Sequence, residues 1–160
     1  MSADTILDAR TSLTPDTLAE RLLSAGLGFS DAGRWREVRN LRHEAFSLGI
    51  EAASADDGVY SDEFAFTAID ADCVLTFHRP KGGADGYDEA MIGVTAWLIA
   101  NVPGDYALIG EGGGPSDVLL VARDGDVTVM TDDGQWSADA PLDRLPEGWR
   151  EAPKDWRERS

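Results

Sequence analysis

Residues 87–101 read YDEAMIGVTAWLIAN. Asp88 and Glu89 fall in the first turn of a helix starting at Tyr87, where the positive end of the helix dipole favours acids. Met91, Ile92, Val94, Ala96, Trp97, Leu98 and Ile99 leave almost no polar face, so such a helix must be covered on several sides, with Trp97 read as core. Pro103-Gly104 stops it. Tyr106 to Ile109 then reads as a short strand, and a glycine-rich run leads to Val118–Arg123, Asp124-Gly125 and Asp126–Met130. Asp-Gly between two apolar runs signals a β-hairpin, because a type I′ turn needs positive φ at both central residues. A buried helix beside strands that pair through tight turns places the chain in the α+β class. The expected architecture is an antiparallel sheet of about five or six strands, with the helix 87–101 across one face.

One hundred and sixty residues suit a single domain, 1–160, with 151–160 read as a frayed tail. No apolar run has the length needed to span a bilayer, and MSADTILDAR lacks the basic and apolar regions of a signal peptide. The lone Cys73 excludes an internal disulfide framework and fits a reducing compartment, so the cytoplasm is the expected location. Fourteen Lys and Arg against thirty Asp and Glu give a net charge of −16. Glu51 to Glu147 holds twenty acidic and four basic residues, so the whole surplus lies there. This field repels nucleic acid and steers a basic partner inward; it also serves solubility alone.

Toward the N-terminus, Thr5 to Ser12 reads as an edge strand. Thr14-Pro15-Asp16 is a helix start, Thr at the N-cap and Pro at the first helical position, and the helix runs over 15–24 with Gly26 just past its end. Between Gly28 and His43, Trp35, Val38 and Leu41 alternate with Arg34, Arg36, Arg39 and Arg42. This stretch reads as a short helix or as two arginine-rich strands whose guanidiniums pair with acidic neighbours. Phe46, Leu48, Ile50 and Ala52 alternate with polar or small residues, the period of a half-buried strand. Glu63 to Ile69 and Cys73 to Arg79 are extended, and Trp136-Ser137 opens a short segment of one helical turn that ends at Leu145-Pro146.

The sequence offers no catalytic constellation. Cys73 and His78, five apart on one strand, point to opposite faces, and Cys73 reads as a small core hydrophobe. Asp70 with Asp72 and Asp132 with Asp133 lack the ligand series of a calcium loop, and there is no His/Cys cluster for zinc, so neither a metal nor another cofactor is expected. GEGGGP at 110–115 lacks the Lys-Ser/Thr ending of a phosphate loop and leads into a strand. Trp136 and its C-terminal neighbours Trp149 and Trp156 serve either as staples holding loops to the sheet or as interface anchors among acids.

The order of pieces over residues 63–153 resembles the swarming-inhibition (Sit) toxin immunity proteins, specifically their third immunity type. The matching pieces are EFAFTAIDADCVLTFHRPKG, the acidic start and Met-Ile of YDEAMIGVTAWLIANVPGD, then VLLVARDGDVTVMTDDGQW and RLPEGWREAP. GEGGGPSD at 110–117 is longer than the family's usual connection, and the Trp-Arg segment near residue 35 has no counterpart. The resemblance implies a small cytoplasmic protein that binds and neutralises a cognate toxin, with no catalytic residues. An acidic inhibitor suits a basic toxin domain by charge complementarity. The expected contact surface is the acidic hairpin side: Asp124, Asp126, Asp132, Asp133 and Trp136. The alternative is a small-molecule or peptide-binding module using a sheet face. An exposed edge strand offers a route to a weak homodimer.

Overall fold

The computed structural model describes residues 4–53, 69–80, 86–110, 118–130 and 142–152. In chain order these form β1 (Thr5–Arg10), α1 (Pro15–Ser24), β2 (Ser30–Trp35), β3 (Val38–Arg42), β4 (Ser47–Ala52), β5 (Cys73–His78), α2 (Tyr87–Asn101), β6 (Asp105–Ile109), β7 (Val118–Arg123), β8 (Asp126–Val129) and β9 (Arg150–Glu151). A 3₁₀ turn, Leu142–Arg144, precedes β9. The strands make one sheet in the order β2-β3-β4-β5-β1-β6-β7-β8-β9. Every neighbouring pair is antiparallel except β8 with β9, which is parallel.

The α+β class holds, but the sheet is larger than expected and mixed: nine strands among the described residues, not five or six antiparallel ones. The difference comes partly from the arginine-rich stretch, which forms β2 and β3 rather than a helix, and partly from the two-residue β9. Thr5–Arg10 is also not at an edge. It is the central strand, with Leu7 opposite Leu75 on one side and Leu108 on the other. Leu7 and Ala9 on one face announce a strand; its neighbours, far along the chain, decide where in the sheet it sits.

Both helices lie on one face. Thr14 caps α1, its side chain accepting from the Thr17 N–H at 3.2 Å, and Pro15 occupies the first turn. Gly26, at φ 72°, takes the left-handed conformation that ends this helix. Leu18, Ala19 and Leu22 point inward and join the inward residues of β3, β4 and β5. α2 spans 87–101 as its sequence demands. Met91, Ile92, Val94, Leu98 and Ile99 are buried against the sheet, which stabilises the fold by about 10 kcal/mol as an upper estimate. Tyr87 fixes the start of α2: its hydroxyl lies 3.1 Å from the Phe77 carbonyl oxygen and 3.2 Å from the Thr5 hydroxyl. Tyr106 fixes the end, donating to the Val102 carbonyl at 2.7 Å. On the opposite face a smaller apolar cluster gathers Ile69, Ala107, Ile109, Val118, Val121 and Met130.

Among the described residues no helix is long and apolar enough to cross a membrane.

Candidate functional site

Of the five residues expected to contact a partner, the structure describes Asp124 and Asp126; Asp132, Asp133 and Trp136 lie outside the described residues. Asp124 and Gly125 form the two-residue turn between β7 and β8, at φ 52° and 86°, the positive pair that a type I′ turn requires. Asp105, on the neighbouring β6, accepts the Asp124 N–H at 3.2 Å and ties the turn to the sheet. Asp124 and Asp126 are both exposed. Asp126 has Arg150 at 3.8 Å, a loose pair between two well-solvated groups and therefore weak. The hairpin thus presents carboxylates from a fixed backbone.

The other titratable groups singled out in the sequence have structural partners. Cys73 is buried, contacts the Leu13 carbonyl at 3.3 Å, and burial pushes its thiol from 9.0 up to about 11, away from the reactive thiolate. His78 is on the opposite face, with Nδ1 at 3.1 Å from Asp4. His43 has both ring nitrogens occupied: Nδ1 accepts the Ala45 N–H at 3.0 Å, which leaves Nε2 to donate to the Leu27 carbonyl at 3.2 Å. Its ring stacks on Phe46 at 4.7 Å. Asp70 pairs with Arg10 at 2.6 Å. Asp72 accepts from the Ser12 N–H at 2.8 Å and the Thr11 N–H at 3.2 Å, so it fastens the turn between β1 and α1 rather than being a freely solvated carboxylate. Among the described residues no group of three or more His, Cys, Asp or Glu is placed to hold a metal ion.

The arginine-rich hairpin is paired with acids, as its composition suggests. Arg39, only 13% exposed, holds Asp31 at 2.8 Å and Asp16 and Glu20 at 3.2 Å each, and Arg34 also pairs with Asp16. The Arg39 hydrogen bond and a bond from the Gly33 N–H hold the Asp31 carboxyl below its ordinary value, the Gly33 bond contributing more.

One concavity among the described residues lies where the sequence gives no sign of it. It is a groove of about 750 Å³ along the outward face of α2, walled on one side by the turn at His43–Ala45 and on the other by Arg144 and Pro146. Its floor is a stripe of one helix face: Glu89, Gly93, Trp97 and Ala100. Trp97 and Asn101 also border a second hollow of about 430 Å³ beside the C-terminal end of α1. Trp97 is therefore not the core residue expected; it is half-buried, resting on the core and facing two hollows. α2 is covered on several sides, as expected, with Tyr87, Met91, Ile92, Val94, Thr95, Ala96, Leu98 and Ile99 buried. Gly93 is the informative residue on this floor. A glycine in a helix interior costs about 1 kcal/mol relative to alanine. Nothing among the described residues requires it, because a Cβ built there meets none of them within 4 Å. The signal available in the sequence was this lone glycine inside an otherwise apolar helix, with Ala90 and Ala100 on the same face.

No family model, curated protein or solved structure matches the chain.

Proposed function

We propose that the protein is a cytoplasmic immunity protein: it binds a cognate bacterial toxin of basic character and neutralises it by occupying its surface, acting as an inhibitor and not as an enzyme. The observation that carries this reading is the pair of exposed carboxylates, Asp124 and Asp126, fixed on a tight hairpin within the stretch that holds the chain's whole acidic surplus. A rigid acidic projection associates quickly with a basic cleft and needs little ordering on contact. The resemblance of residues 63–153 to the Sit immunity proteins supports the same reading. Asp132, Asp133 and Trp136 follow the hairpin in sequence and are proposed to extend its contact surface.

The test is co-purification of the tagged protein from its native host, followed by titration of the recovered toxin domain against wild type and an Asp124→Arg/Asp126→Arg double variant. The proposal expects a basic partner released as salt rises, and an affinity loss of about tenfold or more for the double variant. Unchanged affinity with an unchanged fold would remove the hairpin from the interface; a small molecule with no protein partner would end the immunity reading.

A second reading, a peptide- or small-molecule-binding module, is favoured by one specific observation: the groove of about 750 Å³ on α2 lies within the size range of ligand sites. A weak homodimer would use the open edge of β2. That edge is kinked by a register shift between Asp31 and Arg34 and by Gly33 at φ 85°, a device that discourages strand addition.

A further inference from the structure

We infer that Asp124-Gly125 is a modification site: the aspartate isomerises spontaneously to isoaspartate, and the change dismantles the β7–β8 hairpin. The turn is the one through which the proposed toxin contact is made, so the loss of binding that follows rests on that reading. The chemistry does not. It is internal and uses only water. With the Asp124 carboxyl in its acid form, the Gly125 amide nitrogen attacks Cγ. A C–N bond forms, the amide proton and the carboxyl OH leave together as water, and a five-membered succinimide results. Water then opens the ring at either carbonyl. Opening at Cγ restores aspartate. Opening at the main-chain carbonyl carbon leaves the backbone running through Cβ and Cγ, one CH₂ longer and unchanged in mass.

Three observations place the reaction at this bond. The first is access. Gly125 has no side chain to shield its nitrogen, and a Cβ built there meets none of the described residues within 4 Å. The second is a free carboxyl. Asp124 is exposed, and only its backbone N–H is held, by Asp105; its side chain has no hydrogen-bond or ion-pair partner among the described residues. Asp126, two residues on, has Arg150 at 3.8 Å and a branched neighbour, Val127, so it meets neither condition. The third is the turn itself, which sets the rate. The φ values of 52° and 86° belong to a type I′ turn, the mirror of type I, whose first central residue has ψ of about +30°. That ψ turns the Gly125 nitrogen away from the Asp124 side chain, whereas the ring needs the two on one side. Attack therefore waits for the turn to open. The Asp124 N–H bond to Asp105 and the pairing of a strand of four residues, β8, hold it shut. So short a segment opens without unfolding the rest of the sheet. Once formed, isoaspartate adds a backbone atom to a two-residue loop. A type I′ turn cannot take it up, so Arg123 no longer faces Asp126 and the carboxylates lose their fixed positions.

The test is to age the full chain beside the synthetic peptide VARDGDV, residues 121–127, in the same buffer. Digestion with a protease that cuts before aspartate but not before isoaspartate, with electron-transfer fragmentation, locates the product. The same map separates the other Asp-Gly pairs, at 57–58, 85–86 and 133–134, each of which includes residues outside the described ones. Isoaspartate at 124 should accumulate in the folded chain about ten- to a hundredfold more slowly than in the peptide, and urea that unfolds the chain should erase the difference. The modified fraction should lose amide-exchange protection across β7 and β8 while β1 and β5 keep theirs. Asp124→Asn, which the turn accommodates, should react faster through the same ring and announce itself by the mass change of amide hydrolysis. No isoaspartate at 124 over about ten half-lives of the peptide would overturn the inference. Conversion as fast as in the peptide would overturn the control by the turn, and isoaspartate with β7 and β8 still protected would overturn the dismantling. No toxin takes part in any of these measurements, so a failure here leaves the hairpin reading to its own charge-reversal test on fresh protein.

Discussion

The same substitution, glycine to alanine, should act in opposite directions at two positions eleven residues apart along the α2–β6 segment. At Gly93, a Cβ meets nothing within 4 Å, and the backbone is helical. Alanine there gains helix propensity and restricts the unfolded chain, together worth about 0.5–1 kcal/mol. For a chain of this size each kcal/mol moves the melting temperature by about 2–4 °C, so Gly93→Ala should melt about 1–4 °C higher. At Gly104 the added carbon would overlap the Arg10 carbonyl oxygen and lie 3.1 Å from the Arg10 carbonyl carbon and 3.2 Å from the Thr11 Cα. All three are backbone atoms at the end of the central strand, so no side chain can swing aside. Overpacking of this kind costs about 1–3 kcal/mol, a fall of about 2–12 °C. Calorimetry of both variants, with urea melts to check that the m-value holds, measures the contrast. A Gly93→Ala variant that melts at or below wild type would mean that position 93 already touches something in the free protein, and the argument for an open groove would fail. A neutral Gly104→Ala would refute the close approach of that turn to β1.

Three further outcomes follow from the packing. Ile99→Asp should cost about 4 kcal/mol or more by burying a carboxylate among apolar side chains, whereas Trp97→Ala should cost about 2 kcal/mol because one side of the ring is already open; equal losses in urea melts would contradict the placement of these residues. Alkali should destabilise the fold. Cys73, raised to about 11, and Tyr87 and Tyr106, also raised by burial, stay protonated in the folded chain while their unfolded counterparts ionise; for Cys73 the stabilisation is complete below pH 9 and lost as pH rises toward 11. A thiol reagent that labels Cys73 within minutes at pH 8 under native conditions would disprove its burial. Thr14→Ala should lose about 0.5–2 kcal/mol by freeing the Thr17 N–H, and hydrogen exchange should show the first turn of α1 opening before the rest.

The sequence makes the local devices legible. The Thr14-Pro15 start, Gly26 at the end of α1, the bounds of α2 and the Asp124-Gly125 hairpin all follow from interactions between near neighbours, and the structure has each of them. What the sequence hides is set at long range. Nothing in TILDAR distinguishes a central strand from an edge, since its partners are Cys73–Phe77 and Asp105–Ile109. β2 is only half legible, as helix or strand: all six residues are exposed, so no apolar alternation decides between them, and its one arginine, Arg34, takes its meaning from Asp16 on α1. The groove was missed for a different reason. A helix apolar all round gives no periodicity from which to read its open side; only Gly93 marks it. The acidic hairpin was legible as a shape, while the role of its carboxylates is a matter of partners.

The order of the strands also sets an order of assembly. β2, β3 and β4 form one meander of sequence neighbours, and β6, β7 and β8 form another; β5 and β1 join them, and β1 is the strand that meets β6. The earliest strand in the chain is thus the keystone. Leu7 has no neighbour on one side until Leu75 is in place, and none on the other until Leu108 is. Such closure of long loops is slow, and both edges of an apolar strand stay open meanwhile. A fragment ending at Ala52 would hold one complete meander and a β1 without either of its partners, and a second fragment carrying residues 53–160 would supply both. Two such pieces should associate on mixing, with β1 as the strand that one piece donates to the other.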